Sequence, residues 1–204
     1  MKKLLSLVLV LMVILPCAAM AEAPEVELTT YTHANQLYTI GYPADWTVLD
    51  KASIESMSDA VAEGQIDGLS NEQVQAYAQQ ITSADMTIFT DPAGNNVNVV
   101  VQELGTDMDA DMLVSMVAPS IVSQYESIFE GCTITDTGSV ATINGRDYMT
   151  LAVSYEVAGI ELSLSQYMIV VNGTLYTVTF TSLPDDADMD ARCEAMMNSL
   201  VLAE

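Results

Sequence analysis

The chain has 204 residues and a mass of 22.0 kDa, enough for one ordinary domain and too little for two. Half of it is apolar, which excludes a disordered, solvating chain. The 28 Asp and Glu against 5 Lys and Arg give a net charge of −23, which excludes a general binder of nucleic acid or anionic membrane; one histidine and three cysteines leave little for a metal enzyme or a His-based triad.

Residues 1–21 read as a secretory signal peptide: Lys2 and Lys3, an apolar run from Leu4 to Leu15, then Pro16 and Ala19-Met20-Ala21 as a small-x-small cleavage site. The run is shorter than the roughly 20 residues that span a bilayer, so no stable membrane insertion is expected after cleavage. Lipidation at Cys17 fits poorly, because Pro16 stands where a small residue is needed. Cleavage after Ala21 leaves three cations (Lys51, Arg146, Arg192) against 28 acids, a net of −25. Such like charge favours solubility and costs stability.

Residues 22–27 form a short acidic leader, and residues 28–204 one domain. Leu28–Tyr31 has strand character, and Leu37–Tyr42 alternates. Pro43 and Asp45 make a turn, and Trp46–Leu49 resumes a strand. Ser53 is placed to cap a helix over 53–63. Ser70 and Gln73 offer a capping box for a second over 70–81. Met86–Phe89 and Val97–Leu104 flank Asp91-Pro92-Ala93-Gly94, a hairpin turn. Residues 110–128 carry a helical stripe of Leu113, Met116, Val117, Ile121, Tyr125 and Ile128, which Pro119 should bend or split. A meander follows: a strand over Thr133–Val140, with Ala141-Thr142-Ile143 leading into Asn144-Gly145, then Arg146–Val157, Ile160–Val171 and Thr174–Ser182, joined at Ala158-Gly159 and Asn172-Gly173. An amphipathic helix over 186–200 closes the pattern. Strands following strands, with inserted helices, predict α+β: a central antiparallel sheet with helices on both faces.

The run Tyr38-x-Ile40-x-Tyr42-Pro43-x-Asp45-Trp46-x-Val48 resembles the N-terminal signature of the PsbP-like α/β/α sandwich. The order of elements that follows, down to Asn198-Ser199-Leu200, is similar too. The resemblance covers roughly residues 28–201. It implies a binding or assembly-supporting role rather than catalysis, and it transfers no partner.

Candidate chemistry is sparse. Trp46 can be a stacking platform or a core residue. His33 lies in a polar stretch beside Asn35 and Gln36, without a serine in a nucleophile elbow, and reads as a surface or strand-end residue. Asp107, Asp109 and Asp111 begin a calcium-loop pattern, as do Asp186, Asp188 and Asp190. Neither run has the required glycine or glutamate: Met112 and Ala118 stand there in the first, Ala191 and Met197 in the second. Both runs open predicted helices, where Asp caps free amides and meets the positive end of the helix dipole. No cofactor is expected, with calcium the one open possibility. Export permits a disulfide between Cys132 and Cys193, closing a loop of about 60 residues; two buried thiols are the alternative. Asn172-Gly173-Thr174 matches a glycosylation sequon, although the hairpin reading explains it. The methionines Met112, Met116, Met189, Met196 and Met197 can fill a core or form an adaptable surface.

The sequence therefore points to an exported, non-catalytic binding or accessory module with a protein partner outside the cytoplasm. A hydrolase using an unrecognised carboxylate pair is the first alternative. A weakly calcium-binding envelope protein is the second.

Overall fold

The computed structural model describes residues 26–53, 56, 84–129, 131–157, 159–184 and 186–203. The expected signal peptide, most of the acidic leader and most of the helices expected over 53–63 and 70–81 lie outside them. Ten strands and three helices are described: β1 (Leu28–Thr32), β2 (Tyr38–Pro43), β3 (Thr47–Leu49), β4 (Met86–Thr90), β5 (Asn96–Glu103), α1 (Ala110–Met116), α2 (Ala118–Ile128), β6 (Thr133–Ile143), β7 (Arg146–Val157), β8 (Ile160–Val171), β9 (Thr174–Ser182), α3 (Ala187–Ser199) and β10 (Val201–Leu202).

Seven strands form one antiparallel sheet in the order β3-β4-β5-β9-β8-β7-β6. Three form a small second sheet, β1-β2-β10. The meander follows its turn chemistry. Asn144 and Gly145, and Asn172 and Gly173, all have positive φ, as a two-residue hairpin loop with the twist of its flanking strands requires. The seam of the large sheet is β5 against β9, in register from Asn96 opposite Thr181 to Glu103 opposite Thr174.

Alternation along the strands sorts the apolar side chains into two clusters. One takes Tyr176, Val178 and Phe180 of β9, Val97, Val99 and Val101 of β5, Tyr38 and Ile40 of β2, Trp46, and Met189, Met196 and Met197 of α3. The other takes Met149, Leu151, Val153 and Tyr155 of β7, Leu162, Leu164 and Met168 of β8, and Leu113, Ile121 and Tyr125 from α1 and α2. Residues next to each other along one strand thus serve different clusters, as a period of two dictates.

The helical pattern over 110–128 is split, as Pro119 requires. Val117 sits at the junction, and the proline lies in the first turn of α2, where its missing N–H costs nothing. The buried stripe runs through Ala110, Leu113, Ala118, Ile121 and Tyr125. Met116 and Ile128 fall off it and are exposed, contrary to the sequence reading. Past the helix end Phe129 turns inward instead and stacks on Tyr155 at 4.1 Å.

The signature run meets the Asn198-Ser199-Leu200 stretch in space. The Gly41 N–H donates to Ser199 Oγ at 2.7 Å, joining β2 to the end of α3. A Cβ at Gly41 would stand 2.9 Å from Leu28 Cδ1 and 3.0 Å from that oxygen, so the close approach needs glycine.

Candidate functional site

The described residues line a half-open pocket of about 470 Å³ where the end of β1, the start of β4 and the residues after β3 come together. Tyr31, His33, Asp50, Lys51, Asp85 and Thr87 are its polar and ionisable lining. Each is positioned by a local device. His33 opens the β1–β2 hairpin loop: its N–H donates to the Tyr38 carbonyl at 3.0 Å, and its own carbonyl accepts from Gln36 N–H at 2.8 Å. Gln36 closes the loop at φ 58°.

Asp50 is held by a reciprocal cap. Its Oδ1 accepts from the Ser53 N–H at 2.9 Å, and its own N–H donates to Ser53 Oγ at 2.7 Å. Residues 51–53 are helical, so the helix is capped by Asp50, not by Ser53 as the sequence suggested. The carboxylate accepts backbone and hydroxyl donors with a charge that the serine hydroxyl lacks. The Tyr31 hydroxyl donates to Asp50 Oδ2 at 3.1 Å and lies 3.4 Å from Thr87 Oγ1. Burial pushes the Asp50 carboxyl up, but the Ser53 and Tyr31 hydrogen bonds outweigh it and hold the group below its ordinary range. Burial also raises the Tyr31 phenol.

His33 Nε2 lies 3.2 Å from Asp85 Oδ1. The imidazole is 5% exposed and stacks on Tyr38 with ring centroids 5.0 Å apart. Asp85 adopts φ 45°, a conformation Asp tolerates better than most residues, and its side chain is half exposed. His33 is thus no surface residue: its ring closes one end of a cluster and one wall of the pocket. Its Nδ1 is buried with no hydrogen-bond partner, as is the Tyr38 hydroxyl.

Among the described residues, the pocket brings two acids, Asp50 and Asp85, to one cleft, as the hydrolase alternative asks. A general acid needs a raised carboxyl, and Asp50 is shifted the other way.

The six aspartates of the calcium-like runs lie elsewhere and work separately. Asp107 accepts from the Gly173 N–H at 2.6 Å, tying the β8–β9 turn to the segment after β5. Asp109 caps α1, accepting from the Met112 N–H at 2.8 Å, and Asp111 lies in that helix's first turn. Asp186 caps α3, with Asp188 and Asp190 in the first turn. Asp186 also accepts from Asn95 Nδ2 at 2.7 Å and lies 3.6 Å from Arg192 Nη1, beside Asp91 and Asp188. Among the described residues, no three His, Cys, Asp or Glu side chains form a set able to hold a metal ion.

Cys132 and Cys193 stand as free thiols, each half-buried. Cys193 packs against the cluster of α3 and Cys132 against that of α1 and α2. Burial, with Asp190 nearby, pushes the Cys193 thiol up to about 12. Trp46 is 5% exposed and belongs to the core. The methionines divide: Met189, Met196 and Met197 are core, while Met112 and Met116 are exposed.

A second polar group escaped the sequence reading. Asn96, Asn98, Gln166, Thr179 and Thr181 are all buried in the middle of the large sheet. Gln166 Nε2 donates to Thr179 Oγ1 at 3.0 Å, while Asn96 Oδ1, Asn98 Oδ1, Gln166 Oε1 and Thr181 Oγ1 have no partner. The signal was present as Asn-x-Asn in β5 and Thr-x-Thr-x-Thr in β9, positions of one parity in two paired strands.

No protein-family model matches the sequence, and no curated protein matches it significantly. Solved structures match its fold. The solution structure of cyanobacterial PsbP (CyanoP) from Synechocystis aligns with a TM-score of 0.55 at 15% identity, over 91% of this chain and 98% of that one. The Ran-binding protein Mog1p of Saccharomyces cerevisiae aligns with a TM-score of 0.52 at 6% identity, over 87% and 96%. LpqN of Mycobacterium tuberculosis, involved in cell envelope biogenesis, aligns with a TM-score of 0.51 at 14% identity, over 87% and 91%.

Proposed function

We propose, from the premise that the chain has the PsbP-like/Mog1 fold, that it is an exported, non-catalytic binding or accessory module acting on a protein partner outside the cytoplasm. In this reading residues 28–204 are one α/β/α sandwich, with helices on both faces of the sheet, released by cleavage after Ala21. The observation that carries it is the fold match over about nine-tenths of the chain to CyanoP, with Mog1p, a Ran-binding protein, and LpqN sharing the same architecture. Export rests on the tripartite pattern of residues 1–21. No helix among the described residues is long and apolar enough to cross a membrane.

Expression of a tagged chain in the native host, crosslinking and identification of captured proteins tests the reading. One partner, recovered reproducibly and lost when exposed side chains on one face are changed, supports it; background alone sinks it. N-terminal sequencing of the exported form tests cleavage after Ala21. The second reading is a hydrolase using Asp50 and Asp85, favoured by their sharing one pocket and opposed by the depressed Asp50 carboxyl.

A further inference from the structure

We propose that Asn144 is a self-modification site. Its side chain converts without an enzyme to aspartate and isoaspartate, and the conversion frees the β6–β7 hairpin from α3. This goes beyond the binding reading and stands apart from it.

The sequence holds two Asn-Gly pairs, and they fold into the same turn. Asn144 and Gly145 have φ 52° and 73°, and Asn172 and Gly173 have φ 51° and 74°. Asparagine is thermolabile, most of all before glycine, which sets no side chain in the path of its own nitrogen. That nitrogen, once it gives up its proton to a solvent base, attacks the asparagine Cγ. The new N–Cγ bond forms, the Cγ–Nδ2 bond breaks, and Nδ2 takes up a proton and leaves as ammonia. The cyclic imide then adds one water. Opening at Cγ gives aspartate, and opening at the main-chain carbonyl gives isoaspartate. Only water is consumed, and nothing is oxidised or reduced.

The surroundings separate the two turns. A two-residue turn with positive φ at both positions holds the glycine nitrogen away from the asparagine side chain, so the turn opens before the ring can close. Opening at 172–173 breaks three anchors. The Gly173 N–H donates to Asp107 Oδ1 at 2.6 Å, and the Gly173 carbonyl accepts from the Leu104 N–H at 2.8 Å and the Gly105 N–H at 3.0 Å. The Asp107 carboxylate also holds the proton that has to leave, and its charge opposes an anionic nitrogen beside it. A Cβ at Gly173 would stand 3.2 Å from the Thr106 nitrogen, so this turn is packed as well as bonded. At 144–145 one bond beyond the hairpin itself holds, among the described residues: Asn144 Nδ2 donates to the Asn198 carbonyl at 2.7 Å. Both residues are exposed, and a Cβ at Gly145 would meet nothing within 4 Å. The attacking nitrogen is open to solvent at one turn and guarded at the other.

The bond to Asn198 gives the reaction its consequence. The product has lost the amide donor and carries a carboxylate instead. That carboxylate faces the Asn198 carbonyl, acceptor against acceptor, in the last turn of α3. The helix dipole there is negative, so the new charge is repelled twice. A tie between hairpin and helix becomes a repulsion, and ammonia loss makes the change one-way.

The folded protein is aged in mildly alkaline buffer, and each site is followed by peptide mapping with detection of isoaspartate. The same chain unfolded in urea gives the rates that sequence alone sets. In urea both sites should convert at similar rates. In the folded protein Asn144 should convert at least about tenfold faster than Asn172, the difference expected when one turn opens far more readily than the other. Asp107→Ala should speed conversion at Asn172 and leave Asn144 unchanged. The comparison of the two sites needs no variant, so it decides the matter even if Asp107→Ala folds poorly. Asn144→Asp imitates one product and should lower the melting temperature by about 2–4 °C. Asn144→Ser removes the amide donor without adding charge and should lower it less. Equal rates in the folded protein, a faster Asn172, or an Asn144 that stays intact while the unfolded chain converts overturns the modification site. An unchanged melting temperature in Asn144→Asp overturns the release from α3.

Discussion

On one face of β9, Tyr176, Val178 and Phe180 pack among valines, aromatics and the α3 methionines. On the other, Thr179 and Thr181 stand beside Asn96, Asn98 and Gln166, equally buried and only partly hydrogen-bonded. Both faces exclude water, but they hold the strand by different means. The apolar face gains from each atom it buries and makes no directional demand. The polar face gains only where donors and acceptors match, and four of its oxygens do not. Burial alone is therefore a poor guide to what stabilises this sheet.

Substitutions can sharpen or break that comparison. Phe180→Ala should cost about 3–5 kcal/mol in urea unfolding, the usual loss for a large core aromatic; a loss under about 1 kcal/mol would show that the apolar face does not carry the sheet. Asp91 offers a satisfied polar counterpart, since its carboxylate accepts from Gly94 N–H, Asn95 N–H and Asn95 Nδ2 at 2.7–2.8 Å. Asp91→Ala should cost about 2–3 kcal/mol, because buried donors lose a charged acceptor.

Asp136 extends the same logic to pH. Burial raises its carboxyl, but hydrogen bonds from Thr150, Ser139 and Gly138 outweigh that and hold it low. A depressed carboxyl contributes stability that is present above its unfolded value and lost as pH falls through the folded one. Asp136→Asn should thus flatten the fall in melting temperature below about pH 4, with little change in its slope near neutrality. Thr181→Val keeps the shape and removes an unpaired hydroxyl, so it should be neutral or stabilising by up to about 1 kcal/mol. A clear loss would mean that Oγ1 has a partner, such as a bound water. The smallest expected effect is the difference between calcium and magnesium. Each should raise the melting temperature equally, by screening the acidic surface; a rise with micromolar calcium alone would restore the calcium reading.

Much of the strand framework was legible because the meander is written in local rules. Alternation fixed the faces of β7 and β8, and two Asn-Gly pairs fixed their turns. The split at Pro119 was legible for the same reason. The pocket was not. Its members come from residues 31–33, 50–51 and 85–87, brought together by the packing of the small sheet against β4, and no spacing along the chain records that. His33 was half legible: it does follow the end of β1, but its polar neighbourhood in sequence became a buried one through stacking on Tyr38. Asp186 was legible as a helix cap, but the sequence does not reveal Arg192 and Asn95 beside it.

The order of strands also sets a timetable. β5 must wait for β9 before the two halves of the large sheet join, and β2 must wait for β10, whose neighbour Ala203 donates to the Leu37 carbonyl at 2.8 Å. The meander β6–β9 can form from near neighbours, whereas both seams close over long loops and should come late. A chain emerging from the ribosome therefore cannot complete either sheet until almost all of it is available. An unfinished seam would leave the β5 edge open meanwhile, the state in which such a chain is most exposed to wrong pairing.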